Sequence, residues 1–138
     1  MRLFRLAGSR PKNLGVEDQR LRPCPESPNC VSSDDEDRTH AIAPFELSGE
    51  PSDIWPRICE QLASAKDAKI VTQADDYLHI EFQSKVFGFV DDLELHLRPE
   101  KGLVAVRSAS RLGYSDLGAN RKRVEALRTV LARQGLLR

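Results

Sequence analysis

The sequence has no long apolar segment. None of its stretches approaches the ~18 consecutive apolar residues that a membrane-spanning helix requires. The opening residues 1–11 carry arginines but lack the apolar core of ~7–15 residues that defines a secretory signal. For a chain that has lost no leader, we therefore expect a cytoplasmic location and no membrane span.

Aromatic residues are scarce, at 6% of the chain, and neither sign of charge predominates, with 21 basic and 21 acidic residues. A nucleic-acid-binding domain usually has net positive charge and aromatic side chains that stack on bases, so this composition argues against such a partner. Residues 107–138 nevertheless hold eight basic and two acidic residues. This favours an anionic partner near the C-terminus, although basic residues on a helix usually form only a solvated face.

The motifs that identify the common enzymes are also missing. The sequence has no G-x-x-x-x-G-K phosphate loop, no dinucleotide-binding G-x-G-x-x-G, no G-x-S-x-G elbow and no H-E-x-x-H helix. We therefore predict no cofactor and expect a binding or interaction domain rather than an enzyme. Its partner would be a small anionic molecule or the surface of another protein.

Cysteine is limited to three residues, and an odd number in a chain without a secretory signal argues against a disulfide scaffold. Cys24 and Cys30 could form a disulfide or supply two metal ligands, with His40 as a third. Their spacing exceeds the ~2–4 residues typical of structural zinc and no fourth ligand is evident, so we predict no metal. Cys59 falls on the apolar stripe of a predicted helix and is assigned to the core.

An alternative function uses Cys30 as a nucleophile. His40 could act as its base, and a carboxylate of the acidic run 34–37 could orient the imidazole, giving a cysteine-dependent enzyme or redox protein. The acidic run opposes this function, because nearby negative charge raises the pKa of a thiol. A cysteine packed beneath the N-terminal arm, or a Cys24–Cys30 disulfide, is the simpler interpretation.

The length of 138 residues fits one domain. Residues 1–40 are polar, contain proline and lack periodicity, so we expect an extended N-terminal arm that wraps on the domain. For residues 41–138 we predict an α+β domain in the order β-α-β-β-β-β-α. A curved antiparallel sheet of about five strands carries both helices on one face.

Hydrophobic periodicity sets the predicted elements. A strand covers residues 41–47, and Ser52 caps a helix with a buried stripe at three- and four-residue steps. Four strands with period-two alternation follow, and their short connections make neighbours antiparallel. A final helix begins near Ser115 or Asp116. The four strands cover 68–74, 77–84, 89–97 and 103–110, and the apolar helix positions are Trp55, Ile58, Cys59, Leu62, Leu117, Val124, Leu127 and Leu131.

The last two strands have a preferred pairing register. With Leu97 opposite Gly102, the leucines of one strand meet the valines of the next, and Asp92 lies opposite Arg107. A slip by one residue would place Arg107 among the leucines, so we predict the first register.

The reverse face of the predicted sheet carries His79, Glu81, Glu94 and His96. Two imidazoles and two carboxylates on adjacent strands could hold a metal ion. Such residues are more typical of the solvated side of a half-covered sheet, and we assign them to that surface.

The segment 107–123 joins a strand end to a helix start and is the richest in candidate ligand-binding groups. Free backbone N–H groups of the helix, with the guanidinium groups of Arg107 and Arg111, are typical of a site for a phosphate or carboxylate. The alternative is structural, with Arg107 paired to Asp92 and Arg111 paired to Asp91 or Asp116. The candidate residues are Asp91, Asp92, Arg107, Ser108, Ser110, Arg111, Ser115, Asp116, Asn120 and Arg121.

Four phrases of the sequence resemble one known family. They are PNCVSS at 28–33, HAIAP at 40–44, FGFVDD at 87–92 and RSASRLGYSDLGANRKR at 107–123. Together they resemble the family catalogued as domain of unknown function 1499, over roughly residues 20–132. The resemblance implies no accepted catalytic mechanism. Members of that family often carry membrane or secretory segments ahead of the domain.

Overall fold

The computed structural model of the protein describes residues 11–83, 89–112 and 118–138. The strands are β1 (Val16–Glu17), β2 (Arg20–Leu21), β3 (Cys30–Ser32), β4 (Phe45–Glu46), β5 (Ala68–Gln73), β6 (Tyr77–Gln83), β7 (Val90–Arg98) and β8 (Leu103–Ser110). The helices are α1 (Pro51–Ala63) and α2 (Ala119–Arg133).

The main sheet has six antiparallel strands. Four of them, in the order β8-β7-β6-β5, follow one another as sequence neighbours with short connections, as predicted. β3 and β4 lie end to end along the outer edge of β8. β1 and β2 form a separate hairpin. The predicted α+β class and antiparallel sheet are therefore confirmed, with β3 as an additional strand from the region assigned to the arm.

The apolar face of the sheet holds the core. Leu78 and Ile80 of β6, Leu95 of β7 and Val106 of β8 are fully buried on that face. Both helices cover it, because the side chains of α1 and α2 belong to the same buried cluster as these strand residues. The placement of the two helices on one face is confirmed.

Helix α1 begins one residue before the predicted cap. Its first residue is Pro51, and Glu50 occupies the N-cap position without a side-chain hydrogen bond, so the assignment of Ser52 as the cap was wrong. Proline at the first helical position costs little, because its missing N–H would have no helical partner there. The predicted apolar stripe of α1 is confirmed as buried.

Helix α2 begins at Ala119, with Gly118 as its N-cap at a φ of 81°. The left-handed conformation at this position suits glycine, which has no Cβ. Ser115, Asp116 and Leu117 lie outside the described residues, and Gly118 takes the capping position assigned to Ser115 or Asp116. Farther along the helix, the core-facing residues Val124 and Leu131 are buried and Leu127 is partly buried.

The predicted first strand is short, and arginines of α2 explain why. Only Phe45–Glu46 pair with β8, whereas Ala41 forms an isolated bridge. Arg121 donates to the backbone carbonyls of residues 39 and 41, and Arg128 donates to those of residues 43 and 44. Side chains thus satisfy backbone acceptors that a strand partner would otherwise satisfy.

The β7–β8 register differs by two residues from the predicted one. Leu97 lies opposite Val104 rather than Gly102. The reason is the connection, a 3₁₀ turn over Pro99–Lys101 that ends in Gly102 at a φ of 64°. This turn takes up residues that the predicted register had paired.

The two-residue shift also changes the charge pairing across the strands. Arg107 lies opposite Glu94, and the predicted pairing with Asp92 was wrong. Side chains alternate with a period of two, so a shift of two residues leaves each one on its predicted face. The apolar pattern alone could therefore not distinguish these two registers.

Truncation of a buried valine should destabilise the fold more than truncation of an exposed one. Val104→Ala removes two methyl groups from a fully buried position, so the free energy of unfolding should fall by about 2 kcal/mol. Val130→Ala, at a side chain 43% exposed on α2, should change it by less than about 0.5 kcal/mol. Denaturant titrations measure both values. Equal losses would contradict the assigned core face.

Candidate functional site

The face of the sheet opposite the helices is buried and charged. We call it the polar face. The assignment of this face to solvent was wrong, since His79 is 3% exposed, Asp92 1%, Glu94 0% and Arg107 1%. Its residues come from alternate positions of three adjacent strands and the residue just beyond them: Tyr77, His79, Glu81, Asp92, Glu94, His96, Arg98, Arg107 and Arg111.

The N-terminal arm covers the polar face. The Gly15 amide donates to Glu94 Oε2 over 2.7 Å, and Arg107 Nη2 donates to the Pro23 carbonyl over 3.4 Å. A bidentate ion pair joins Arg98 to Asp34, at 2.7 and 2.6 Å. The arm therefore replaces the water that the predicted half-covered sheet would have had on this side.

The Asp34 carboxylate is central to the attachment of the arm. Its Oδ2 also accepts a hydrogen bond from the Leu21 amide over 2.9 Å. Burial alone would raise the pKa of Asp34, but the hydrogen bonds from Arg98 and Leu21 outweigh it and lower that pKa. Ionised Asp34 thus links the arm to the end of β7.

Arg111 neutralises a second group of buried carboxylates. It donates to Asp92 through Nε at 2.8 Å and Nη2 at 2.9 Å, and it also pairs with Glu81. His79 Nε2 lies 2.7 Å from Asp92 Oδ1. Arg111 therefore pairs with Asp92 and Glu81 and not with the predicted Asp91, which pairs with Arg123, while the alternative partner Asp116 lies outside the described residues.

The pKa values in this cluster follow from its contacts. Burial would raise the pKa of Asp92, but the hydrogen bonds from Arg111 and His79 hold it below its ordinary value. Hydrogen bonding to Asp92 and then Glu81 raises the pKa of Arg111. Both groups are therefore charged at neutral pH, and each stabilises the charge of the other.

One trio on the polar face has the residue types of a metal site. Ligand atoms of His79, Glu81 and Asp92 all lie within 4.8 Å of one another. The guanidinium of Arg111 already contacts both carboxylates, so it supplies the positive charge that a metal ion would bring. The geometry accordingly fits an ion-pair cluster better than a metal centre.

Arg107 is paired much less completely than Arg111. Its Nη1 lies 3.4 Å from Glu94 Oε1, and its Nη2 lies 3.4 Å from the Pro23 carbonyl. Its Nε is the one buried side-chain nitrogen or oxygen without a hydrogen-bond partner in the part of the chain that the structure describes. Arg107 thus has donor capacity that the described residues do not use.

Glu94 takes its short hydrogen bonds from other groups. Tyr77 Oη donates to Glu94 Oε2 over 2.6 Å, and the Gly15 amide donates to the same oxygen over 2.7 Å. Burial, followed by the charge of Glu94, raises the pKa of Tyr77, so its phenol stays protonated and remains a donor. Glu94 is therefore satisfied largely without Arg107.

The predicted site at residues 107–123 is divided between the two faces of the sheet. Strand alternation continues to Ser110, so Ser108 and Ser110 point toward α2, where both hydrogen bond to Asn120 at 2.6 and 2.8 Å. Asp91 is on the same side and pairs with Arg123 at 2.6 Å.

The other candidates lie elsewhere. Arg107, Arg111 and Asp92 are on the polar face, and Arg121 contacts backbone carbonyls before β4. Ser115 and Asp116 lie outside the described residues. Within the described residues, the hydrogen bonds of Arg107 and Arg111 go to carboxylates of the sheet and to the Pro23 carbonyl rather than to α2.

Cys24 and Cys30 form a disulfide, which is one of the two simpler interpretations that the sequence left open for this pair. Cys30 is fully buried in β3, and Cys24 is partly exposed. The remaining thiol, Cys59, is buried in α1, where burial raises its pKa to about 11. In this form of the protein neither Cys24 nor Cys30 offers a thiolate.

Both ring nitrogens of His40 are engaged. Nε2 lies 3.0 Å from the Ser27 carbonyl, which can only accept a hydrogen bond, and Nδ1 contacts the Asp37 carboxylate. Burial would lower the pKa of His40, but these two acceptors raise it. His40 is thus held as a donor to two oxygens, which is unsuited to a base that removes a proton from Cys30.

Sequence reasoning missed the residues that close the polar face. Tyr77, Arg98 and Pro23 were not among the candidates, and Asp34 was considered only as one of the carboxylates that could orient His40. Each of the four contacts a charged side chain. One signal was present in β7, where Asp92, Glu94, His96 and Arg98 occupy every second position. Such a row of ionisable residues is compatible with either water or a covering segment, and the sequence did not identify the segment.

Comparison with known proteins gives one result. The sequence model of a family described as a protein of unknown function (DUF1499) matches residues 20–131. No curated protein and no solved structure matches the chain. Within the described residues, neither helix has the length and apolar character needed to cross a membrane.

Removal of Arg111 should leave two buried carboxylates without their counter-charge. Arg111→Met should therefore lower the free energy of unfolding by roughly 3–5 kcal/mol. The matched control is Arg22→Met, whose pair with Glu17 is 40% and 60% exposed, and its loss should cost at most about 1 kcal/mol. Denaturant unfolding measures the loss of stability in both variants. If Arg111→Met lost no more stability than Arg22→Met, the buried ion pair would be contradicted.

Acid should weaken the attachment of the arm at Asp34. The folded pKa of Asp34 lies below its ordinary value of 3.8. Ionised Asp34 therefore stabilises the fold above pH 3.8, and this contribution disappears as the pH falls through the folded pKa. The stability difference between wild type and Asp34→Asn should shrink between about pH 6 and about pH 2.

The control for this pH series is Asp75→Asn, at an exposed position between β5 and β6. Its unfolding free energy should follow that of the wild type across the same range. A wild-type advantage over Asp34→Asn that stays constant down to the lowest pH would rule out the assigned role of Asp34.

Proposed function

This chain belongs to the DUF1499 family of proteins of unknown function, and we propose that it is a small binding domain in which Arg107 recognises an anionic ligand. The ligand group is a carboxylate or a phosphate. The domain binds rather than catalyses, since the described residues of the polar face include no nucleophile beside a free base.

The observation that carries this proposal is the unpaired Nε of Arg107. A buried donor without an acceptor costs roughly 1–3 kcal/mol, more for a charged group. Folded proteins rarely leave such a group unsatisfied unless another component of the system supplies the partner. An anion that accepts from Nε and one Nη atom would complete the bidentate geometry that guanidinium groups favour.

The surroundings of Arg107 support an anion rather than a neutral ligand. Glu94 is the nearest negative charge, but its contact with Arg107 is 3.4 Å long, whereas its contacts with Tyr77 and Gly15 are 2.6 and 2.7 Å. The positive charge is therefore only partly compensated. A ligand would compete with the Pro23 carbonyl, a neutral acceptor at 3.4 Å.

The other predicted site residues have supporting roles in this proposal. Arg111 and Asp92 hold the neighbouring part of the polar face, and their mutual pairing keeps Asp92 away from the ligand. Ser108, Ser110 and Asn120 fix α2 to β8 on the opposite side. A ligand at the start of α2 would require these groups and Arg121 instead, which makes that location distinguishable by mutation.

The alternative function has two forms, a nucleophilic enzyme and a redox protein, and the disulfide favours the redox form. A nucleophilic enzyme built on Cys30 and His40 lacks both a thiol and a free base in the oxidised protein. A redox role for the Cys24–Cys30 pair does not need His40. Thiol titration before and after treatment with a reductant tests it, and a count that stays at one thiol would exclude it.

Inorganic phosphate is the probe that tests Arg107. It should raise the midpoint of thermal unfolding of the wild type, because a ligand at ~100 times its dissociation constant stabilises the folded state by about 2.7 kcal/mol. Arg107→Met should abolish this shift. Acetate and succinate, measured in parallel at constant ionic strength, separate phosphate recognition from carboxylate recognition.

Arg121→Met is the matched control, since it removes a guanidinium whose hydrogen bonds within the described residues go to backbone carbonyls. It should keep the phosphate response of the wild type. Loss of the response in Arg121→Met but not in Arg107→Met would move the site to the start of α2. If none of the three anions shifts the midpoint of the wild type, with the Cys24–Cys30 disulfide either oxidised or reduced, the proposed function is wrong.

A further inference from the structure

The covalent attachment of the arm lies directly beside Arg107. Pro23, whose carbonyl contacts Arg107 Nη2, immediately precedes Cys24. Cys24 is bonded to Cys30, which lies in β3 opposite Ala109, two positions from Arg107 along β8. The disulfide therefore fixes the residue that covers the unpaired guanidinium.

We propose that the Cys24–Cys30 disulfide is a reducible latch that holds the arm closed over Arg107, and that its reduction opens the anion site. This inference rests on the proposed function in one respect only, the assignment of Arg107 as the anion site. The movement of the arm is a separate property that can be measured without any ligand.

The position of the latch determines which residues it restrains. While the disulfide is intact, the arm can separate from the sheet only up to the residue beside Cys24, so Pro23 stays on Arg107. After reduction, the first residue that still attaches the arm to the sheet is Cys30, through its pairing in β3. The segment 23–29 can then move away from the guanidinium.

The remaining contacts of the arm are non-covalent and therefore reversible. The Cys24 amide donates to Asp35 Oδ2 over 3.0 Å, and the Leu21 amide donates to Asp34 Oδ2 over 2.9 Å. These bonds allow the reduced arm to close again. Opening a disulfide that joins residues six positions apart should raise the population of the open arm roughly 50-fold.

The two cysteines differ in exposure, since Cys24 is partly exposed and Cys30 is fully buried, and this difference sets the course of the reduction. A dithiol reductant attacks Sγ of the partly exposed Cys24 through one thiolate, and Cys30 leaves as a thiolate that takes up a proton. The second thiol of the reductant then attacks the mixed disulfide and releases Cys24. Two electrons and two protons pass to the cysteines, and the dithiol becomes a cyclic disulfide.

Hydrogen exchange measures the latch directly. In the wild type treated with dithiothreitol, the amide of Cys24 should exchange roughly 50-fold faster than in the oxidised protein, whereas that of Leu21, which lies on the free side of the disulfide, should change much less. The amide of Leu95, which lies in the middle of β7 between β6 and β8, should be unchanged. Thiol titration confirms the redox state, with one thiol before reduction and three after it.

Two variants serve as controls. Cys24→Ala should exchange like the reduced wild type and should not respond to the reductant. Cys59→Ala, which removes the thiol of α1, should keep the full response to reduction. Phosphate should associate faster with reduced wild type and with Cys24→Ala than with the oxidised protein.

The outcomes separate this inference from the proposed function. Unchanged arm exchange after complete reduction would overturn the latch. Faster exchange at Leu95 as well as in the arm would also overturn it, because the disulfide would then stabilise the whole fold. Faster exchange confined to the arm, without phosphate binding in any form, would support the latch and reject the anion site.

Discussion

The burial of charge on one side of the sheet is the constraint on which the rest of this structure depends. Asp92, Glu94 and Arg107 are as inaccessible to water as the leucines on the opposite side. An ion transferred into a protein interior loses several kcal/mol of hydration, which only good partners can offset. Arg111 provides such a partner for Asp92, whereas Glu94 depends on Tyr77 and on an arm amide.

Because these charges are buried, the N-terminal arm that covers them must supply hydrogen bonds and ion pairs. On the helix side, α1 and α2 cover apolar residues, and the attraction is non-directional. On the polar face, each covering contact must be a hydrogen bond or an ion pair at a fixed position, as between Arg98 and Asp34. Arg107 is where this matching is incomplete, because its Nε has no hydrogen-bond partner among the described residues.

How well each feature could be predicted depended on how far apart in the sequence the residues that determine it lie. The α1 stripe and the four central strands were predicted because residues close in sequence determine them. The cap of α1, the β7–β8 register and the partners of Arg107 and Arg111 were not. A proline-led helix start replaced Ser52, a turn at residues 99–102 moved the register by two, and both arginines found carboxylates other than those predicted.

The sequence by itself determined which side chains share a face, because strand alternation and helical periodicity are local and survive a shift of register by two residues. It also supplied the row of ionisable residues along β7. Only the tertiary structure decided that the arm rather than water would cover that row, that Cys24 would bond to Cys30, and that Arg107 would keep an unpaired Nε. The physical reason is that the contacts between the arm and the sheet join segments far apart in the chain, where geometry selects one partner among several of equal chemistry, and the sequence had left the short-range Cys24–Cys30 bond as one of several options.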